Sequence, residues 1–238
     1  MTKIKLCGLK RECDIEWANE LQPDFVGFVF AKESRRYVAP KEAVILKSLL
    51  LPSVQAVGVF VNADIEVIAA IAEMGIIDVV QLHGSEDAVY LEKLRKRIQL
   101  PIIQAFRIKT AEDVQRAEKS IADMVLLDAG AGCGEVFDWS LLGEMNRPYF
   151  LAGGLTPQNV ENAVKSLKPY GVDASSSLET GGVKNKEKMI AFVGVVRRKD
   201  DENDRSSFGV TIGSAIVSHP EIFIRDRRTQ NGIFYKKC

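Results

Sequence analysis

The sequence predicts an α/β protein that forms one parallel eight-stranded (β/α)8 TIM barrel, followed by a non-barrel C-terminal tail. Two observations support this prediction. Short β-branched or apolar runs recur along the 238 residues, and a longer segment with helical periodicity follows each of them, which is typical of βαβ units. Eight such runs occur, and their spacing of about 25 residues is a usual length for one βα module.

The eight predicted strands cover residues 4–7, 25–30, 56–61, 79–82, 102–106, 124–128, 149–152 and 172–175. An open, doubly wound sheet is the alternative arrangement. Such a sheet more often has about five or six strands and a glycine-rich dinucleotide-binding turn after the first strand. The first strand here ends in Leu6-Cys7-Gly8-Leu9, and the count of eight favours the closed barrel.

The segments between the strands predict helices that pack one apolar face on the barrel. Two such faces are formed by Val44, Leu46, Leu49 and Leu50, and by Val114, Ala117 and Ile121. Thr156 followed by Pro157 is typical of an N-cap and a first helical residue, which predicts that a helix begins there. A short helix is predicted over residues 139–145.

The alternation of strands and helices stops near residue 198, which divides the chain into two parts. We expect a catalytic barrel domain over residues 1–198 and a polar C-terminal extension over residues 199–238. The polar run at residues 200–204 is of the type that ends a domain. Because the extension is too short for a core of its own, we expect it to be flexible or loosely docked.

Composition argues against several classes of partner and compartment. The 32 lysines and arginines balance 32 aspartates and glutamates, so no net charge favours nucleic acid or an acidic membrane surface. The start lacks the apolar stretch of a signal peptide, and no run approaches the roughly 20 apolar residues of a membrane span, which predicts a cytoplasmic protein. The cysteines, which form no CxxC pair and have no neighbouring histidines, predict neither disulfides nor a metal site; they are Cys7, Cys13, Cys133 and Cys238.

In a barrel of this type the catalytic groups lie where strands end and βα loops begin. The polar residues at predicted strand ends are Cys7, Gln81, His83, Arg107 and Asp128. Glycines and serines close the last two strands, and backbone N–H groups and hydroxyls of this kind bind phosphate. The phosphate site is therefore predicted at Gly153, Gly154, Ser175 and Ser176. Together these features predict an isomerase that acts on a phosphorylated sugar.

Each candidate residue also has a structural interpretation. Asp128 precedes a glycine-rich loop and is either a general acid, with a pKa raised by partial burial, or a loop cap. Cys7 is either a small buried apolar residue or a base, and as a thiolate it needs nearby positive charge, for which Arg36 is a candidate. Arg36 can also pair with a substrate carboxylate, or it is a solvated loop charge. The structural interpretation of His83 is that it makes a hydrogen bond only within its own loop.

Seven motifs, taken in order, resemble those of the phosphoribosylanthranilate isomerase family along residues 3–198. They lie at residues 5–9 (KLCGL), 24–30 (DFVGFVF), 34–37 (SRRY), 80–84 (VQLHG), 127–139 (LD to FDW), 151–160 (LAGGL with a later NV) and 172–184 (VDASS with a later Glu179 and Lys184). Each motif alone is weakly specific, but seven in the right order are highly specific. The chain departs from the family pattern at Cys133, Ser177 and Asn185.

The resemblance implies an Amadori rearrangement in tryptophan biosynthesis that needs no cofactor and no metal. The aminoribosyl phosphate of anthranilate opens its ring and becomes a 1-amino-1-deoxyribulose phosphate. Asp128 is implied as the general acid on the ring oxygen and Cys7 as the general base that removes the C2′ proton. Arg36 is implied to hold the anthranilate carboxylate, and His83 and Asp173 are expected to support substrate binding.

Two rival functions remain at this point. A related barrel that forms indole glycerol phosphate would call for a catalytic lysine and glutamate at strand ends, where this chain has Cys7 after its first strand. A non-catalytic phosphosugar-binding barrel would keep the phosphate loops but lose the proton-transfer pair. We therefore expect an active enzyme that is a monomer or a homodimer, with a small phosphosugar as its substrate.

Overall fold

The computed structural model describes residues 1–128 and 139–207. Within these ranges, eight parallel strands form a closed barrel in chain order, which confirms the predicted architecture. The strands are β1 (Lys3–Cys7), β2 (Phe25–Val29), β3 (Gln55–Phe60), β4 (Val79–Leu82), β5 (Ile102–Arg107), β6 (Met124–Asp128), β7 (Tyr149–Ala152) and β8 (Gly171–Ala174). The barrel closes where β8 pairs with β1, and Lys5 lies opposite Asp173 in that register.

Helices cover the outside of the barrel. They are α1 (Glu12–Leu21), α2 (Pro40–Leu49), α3 (Ile65–Glu73), α4 (Ala88–Arg95), α5 (Ala111–Glu118), α6 (Val160–Leu167) and α7 (Lys186–Ser207). A short 3-10 helix, Trp139–Glu144, follows β6 as the sequence predicts, and another, Ser176–Leu178, follows β8. A two-stranded hairpin of β9 (Glu179–Thr180) and β10 (Val183–Lys184) then leads into α7. In the described ranges no helix has the length and apolar character needed to cross a membrane.

The two faces of each strand pack into separate clusters. On β1, Ile4 and Leu6 join the apolar layer between the strands and the helices, whereas Cys7 joins the cluster inside the barrel. This alternation follows from the two-residue period of a strand. Lys5 lies on the same face of β1 as Cys7, and therefore a buried lysine lies directly beneath the mouth of the barrel.

The predicted apolar faces of two helices were partly wrong. Helix α2 buries Ala43 and Leu46, while Val44 and Leu49 are exposed. At about 100° per residue, Ala43, Leu46 and Leu50 lie within about 60° of one another around the helix axis. Leu49 lies about 60° beyond Leu46, and Val44 lies about 100° away on the other side of Ala43, so both fall outside the buried face. Ile121 is exposed because α5 already ends at Glu118.

The predicted start of the sixth helix was also wrong. Residues 156–159 form a turn, and α6 begins at Val160. The side chain of Asn159 organises this turn, because its Oδ1 accepts a hydrogen bond from the Thr156 N–H at 2.8 Å and its Nδ2 donates to the Gly154 carbonyl at 2.9 Å. Asn159 therefore occupies the N-cap position, three residues after the predicted cap, but its side chain holds the preceding turn and makes no capping hydrogen bond to the helix.

The last helix crosses the predicted domain boundary at residue 198. Helix α7 packs Met189, Phe192, Val193 and Val196 into the core and runs on to Ser207. A polar run ends apolar packing but does not by itself end a helix. Residues 208–238 lie outside the described residues, and the division into a barrel and an extension stays a prediction.

Candidate active site

One pocket lies at the carboxyl end of the barrel, with a cavity volume of about 290 Å³. Because all eight strands run in the same direction, the residues that end them meet at this mouth. The lining includes all nine predicted site residues, namely Cys7, Arg36, His83, Asp128, Gly153, Gly154, Asp173, Ser175 and Ser176. The structure thus brings these residues together, while their individual roles stay predictions.

Cys7 ends β1 and is nearly covered, with 8% of its surface exposed. A Cβ atom on Gly27, the neighbour of Cys7 on β2, would lie 2.7 Å from the Cys7 Sγ. Glycine at this position therefore leaves the room that the sulfur occupies. Gly8, with a φ of +80°, turns the chain directly after Cys7, in a conformation that favours glycine.

The surroundings of Cys7 act on the pKa of its thiol in opposite directions. Burial raises the pKa of the thiol, and the charge of Asp173 raises it further, while Lys5 and Lys184 act to lower it. The balance leaves the pKa above its usual value. The sequence interpretation assigned the nearby positive charge to Arg36, whereas the structure supplies it from two buried lysines.

Lys5 is fully buried and is held by Asp173. Its Nζ lies 3.1 Å from each carboxylate oxygen of Asp173. Burial acts to lower the pKa of Lys5, but Asp173 and Cys7 raise it, and the balance lies above the usual value. Lys5 therefore remains charged beside the Cys7 thiol, a feature that the sequence analysis did not identify.

Asp128 ends β6 and takes part in a chain of hydrogen bonds that begins on β4. The Nε2 of His83 lies 3.2 Å from the Asp128 Oδ2, and the Nδ1 of His83 lies 2.8 Å from the Gln81 Nε2. His83 and Asp128 are both partly exposed and line the pocket, whereas Gln81 is fully buried. His83 thus reaches across the pocket mouth to the carboxylate instead of bonding only within its own loop.

Arg36 is held in place by a carboxylate from the β9–β10 hairpin. Its Nε lies 2.5 Å from the Glu179 Oε1, and its Nη2 lies 3.1 Å from the Glu179 Oε2. Lys184 and Arg35 also bind Glu179, at 2.8 and 2.9 Å. Burial alone would raise the pKa of Glu179, but these cationic partners lower it, so the carboxylate stays ionised. This network excludes the solvated-loop interpretation of Arg36.

The predicted phosphate loops lie on the β7 and β8 side of the pocket. Gly153 and Gly154 have φ values of +82° and +66°, a left-handed conformation that glycine adopts without strain. The Ser175 hydroxyl donates to the Cys7 carbonyl at 3.0 Å, which ties the two strand ends together. Arg107 ends β5 but is exposed, and it is not among the described residues that line the pocket.

Two of the three departures from the family pattern can be located. Ser177 lines the pocket, and the Asn185 Oδ1 accepts a hydrogen bond from the Lys188 N–H at 2.9 Å, near the start of α7. Cys133 and the glycine-rich loop after Asp128 lie outside the described residues. In residues 1–128 and 139–207, no cluster of three or more His, Cys, Asp or Glu is arranged to hold a metal ion.

The family model of N-(5′-phosphoribosyl)anthranilate (PRA) isomerase matches residues 4–195 of the chain. The chain belongs to this family. Apart from Lys3, the match spans all eight strands and every residue of the pocket named above, so the phosphoribosylanthranilate isomerase family is assigned over nearly the whole barrel.

Curated relatives of known name agree with this assignment. The N-(5′-phosphoribosyl)anthranilate isomerase of Endomicrobium trichonymphae is 46% identical over 202 residues, which cover 83% of this chain and 99% of the relative. The enzyme of the same name from Acetivibrio thermocellus is 42% identical over 214 residues, covering 84% and 98%. The alignments therefore include nearly the full length of these isomerases.

Solved phosphoribosylanthranilate isomerase structures share the fold. The crystal structure from Thermotoga maritima superposes with a TM-score of 0.77 at 33% identity, covering 83% of this chain and all of that one. A second structure, in complex with reduced 1-(o-carboxyphenylamino)-1-deoxyribulose 5-phosphate, has a TM-score of 0.75 at 34% identity, with coverages of 83% and 100%. Both likenesses show the same barrel fold over most of this chain.

Proposed function

We propose that this chain converts N-(5′-phosphoribosyl)anthranilate into 1-(o-carboxyphenylamino)-1-deoxyribulose 5-phosphate by an Amadori rearrangement. The observation that carries the proposal is one pocket that holds Cys7 and Asp128 together with the predicted phosphate loops and an arginine fixed by Glu179. Family membership supports the same reaction as a step of tryptophan biosynthesis.

Asp128 acts first, as the general acid. Its proton passes to the furanose ring oxygen, the bond between that oxygen and C1′ breaks, and the anthranilate nitrogen supplies the electron pair that forms the Schiff base. The position of Asp128 at a strand end that lines the pocket supports this role. The hydrogen bond from His83 holds the carboxyl group at the mouth of the pocket.

Cys7 acts second, as the general base. Its thiolate takes the C2′ proton, the released electron pair forms the C1′–C2′ double bond, and the π electrons of the C1′=N bond return to the anthranilate nitrogen. The resulting enolamine becomes the ketone by tautomerisation, in which the C2′ hydroxyl loses its proton and C1′ gains one. Burial raises the pKa of the Cys7 thiol, and the charges of Lys5 and Lys184 act against this effect because they favour the thiolate.

The remaining site residues bind the substrate. We assign the anthranilate carboxylate to Arg36, because a guanidinium binds a carboxylate through two parallel hydrogen bonds and Glu179 already fixes its position. The phosphate is assigned to the backbone of Gly153 and Gly154 and the hydroxyls of Ser175 and Ser176. His83 and Asp173 support this binding from the other strand ends. These steps require no cofactor.

The compartment and the assembly state belong to the same proposal. We expect a cytoplasmic enzyme that is a monomer or a homodimer. A solved relative from Thermotoga maritima is described as a dimeric isomerase from which monomers were generated, and this supports both states as compatible with the fold.

A fluorescence assay of phosphoribosylanthranilate consumption tests the proposal. The wild type is expected to be active, and Cys7→Ser and Asp128→Asn are each expected to lose about a hundredfold or more in kcat. Cys13→Ala is the matched control, because Cys13 is also a buried cysteine but lies on α1, away from the pocket lining. An inactive wild type would refute the function, and a fully active Cys7→Ser or Asp128→Asn variant would refute the assigned role.

A further inference from the structure

Gln81 is a buried polar residue to which the proposed mechanism gives no task. It lies on β4, it is fully buried, and it is absent from the described lining of the pocket. Its neighbours in register, Val59 on β3 and Ile103 on β5, belong to the apolar cluster inside the barrel. Burying a polar side chain in such surroundings costs free energy unless its polar atoms form hydrogen bonds.

The amide of Gln81 determines which nitrogen of His83 carries the hydrogen. The Gln81 Nε2 lies 2.8 Å from the His83 Nδ1, and an amide nitrogen can only donate. The Nδ1 must therefore accept, and a neutral imidazole that accepts at Nδ1 carries its hydrogen on Nε2. That hydrogen faces the Asp128 Oδ2, which lies 3.2 Å from the His83 Nε2.

The opposite orientation of the amide is less favourable. In the observed orientation the Gln81 Oε1 is buried without a hydrogen-bond partner among the described residues. A rotation by 180° would exchange the two atoms and bury the amide N–H groups at that apolar position instead. Buried N–H groups without a partner are rarer in proteins than carbonyl oxygens without one. The observed donor direction, from Gln81 to His83 to Asp128, is thus the preferred one.

We propose that Gln81 is a positioning residue that holds His83 in the Nε2–H tautomer, so that His83 donates a hydrogen bond to the Asp128 carboxylate. This inference rests on the proposed function of Asp128 as the general acid. When Asp128 passes its proton to the ring oxygen, a negative charge forms on the Asp128 carboxylate. The hydrogen bond from His83 to the Asp128 Oδ2 then strengthens. His83 keeps its own hydrogen throughout and acts as a donor only.

The loss of this arrangement is expected to slow the chemical step and leave substrate binding intact. Gln81→Met preserves the length of the side chain but removes the donor to Nδ1. We expect kcat to fall about tenfold to a hundredfold, as for a hydrogen bond to a charged group, while KM stays within about twofold. Gln104→Met is the matched control, because Gln104 lies on the adjacent strand β5 and donates to the Glu86 carbonyl, not to His83.

Nitrogen-15 NMR of histidine-labelled protein reads the tautomer directly. The chain contains two histidines, His83 and His219, and a His219→Gln variant assigns the two imidazole signals. In the free wild type we expect the hydrogen of His83 on Nε2 and none on Nδ1. Gln81→Met is expected to give a mixture of both tautomers, whereas Gln104→Met is expected to leave the spectrum unchanged.

Two results would overturn the inference. One is a wild-type spectrum with the hydrogen on Nδ1, which needs neither a variant nor a substrate and therefore holds even if Gln81→Met fails to fold. The other is a Gln81→Met protein that folds and keeps the wild-type kcat. An inactive wild type would instead refute the proposed function, and the inferred role of Gln81 in the reaction would fall with it.

Discussion

At the residue scale, the position of the Cys7 sulfur depends on the absence of a side chain at Gly27. Gly27 on β2 leaves room for it, because a Cβ at that position would lie 2.7 Å from Sγ and 3.1 Å from the Cys7 Cα. Contacts of this length force one of the partners to shift. A base that must meet the C2′ proton in line is sensitive to shifts of this size.

Gly27→Ala is therefore expected to lower kcat by about tenfold or more, because a displacement of the reacting group by an ångström carries a large penalty. Steady-state kinetics measures this effect. Gly194→Ala serves as the control, since Gly194 lies on α7 with open space where its Cβ would be added. A Gly27→Ala enzyme with wild-type kcat would show that the Cys7 sulfur does not need this space.

The ion pair of Lys5 and Asp173 leads to a prediction about stability. Lys5→Met leaves the Asp173 carboxylate buried without its partner, and loss of one member of a buried pair costs about 3–5 kcal/mol. Urea unfolding is expected to show a loss of this size. The double variant Lys5→Met/Asp173→Leu is expected to recover most of it, and a double variant as unstable as the single one would contradict the interpretation.

At the element scale, the sequence predicted the strands better than the helices. Strand positions follow from short apolar runs, and each predicted strand lies within a residue of the observed one at either end. Helix faces depend on the exact phase of the apolar residues, and this is why Val44 and Leu49 were misplaced. The start of α6 could not be chosen from the sequence because Thr156 and Asn159 are both favourable N-cap residues, and the turn that the Asn159 side chain holds decides between them.

The turn before α6 also supports one side of the pocket. Asn159→Ala removes the hydrogen bonds to the Thr156 N–H and the Gly154 carbonyl. We expect a loss of about 1 kcal/mol in the free energy of unfolding, as for a lost intramolecular hydrogen bond, together with a raised KM because Gly154 lines the predicted phosphate site.

Asp64→Ala is the matched control for Asn159→Ala. Asp64 caps α3 through the Glu66 N–H at 2.9 Å and is not among the described pocket residues. It should cost similar stability without a change in KM. Equal KM values in the two variants would show that the Asn159 turn does not contribute to phosphate binding.

At the scale of the whole molecule, the barrel and the membership of its pocket could be predicted, because parallel strands bring their carboxyl ends together. The supporting contacts could not. Lys5 and Asp173 are separated by 168 positions in the sequence, and Arg36 and Glu179 by 143. Only the closure of β8 against β1 brings Lys5 and Asp173 together, and only the fold of the β9–β10 hairpin brings Glu179 to Arg36.

The position of the pocket residues also predicts that residues 208–238 are dispensable for turnover. All described residues of the pocket precede Leu178, and the buried residues described on α7 end at Val196. A chain that ends at Ser207 keeps this helix, and we expect its kcat and KM to stay within about twofold of the full-length values. A large loss of kcat in this truncation would assign residues 208–238 a part in catalysis.

The central claim is that Asp128 opens the ring and Cys7 then removes the C2′ proton. Substrate with deuterium at C2′ tests this order most directly, through the isotope effect on kcat/KM in each variant. The account predicts a large primary isotope effect in Cys7→Ser, where proton removal limits the rate, and an effect near unity in Asp128→Asn, where ring opening limits it. Equal isotope effects in the two variants, or the reverse pattern, would contradict the assigned roles.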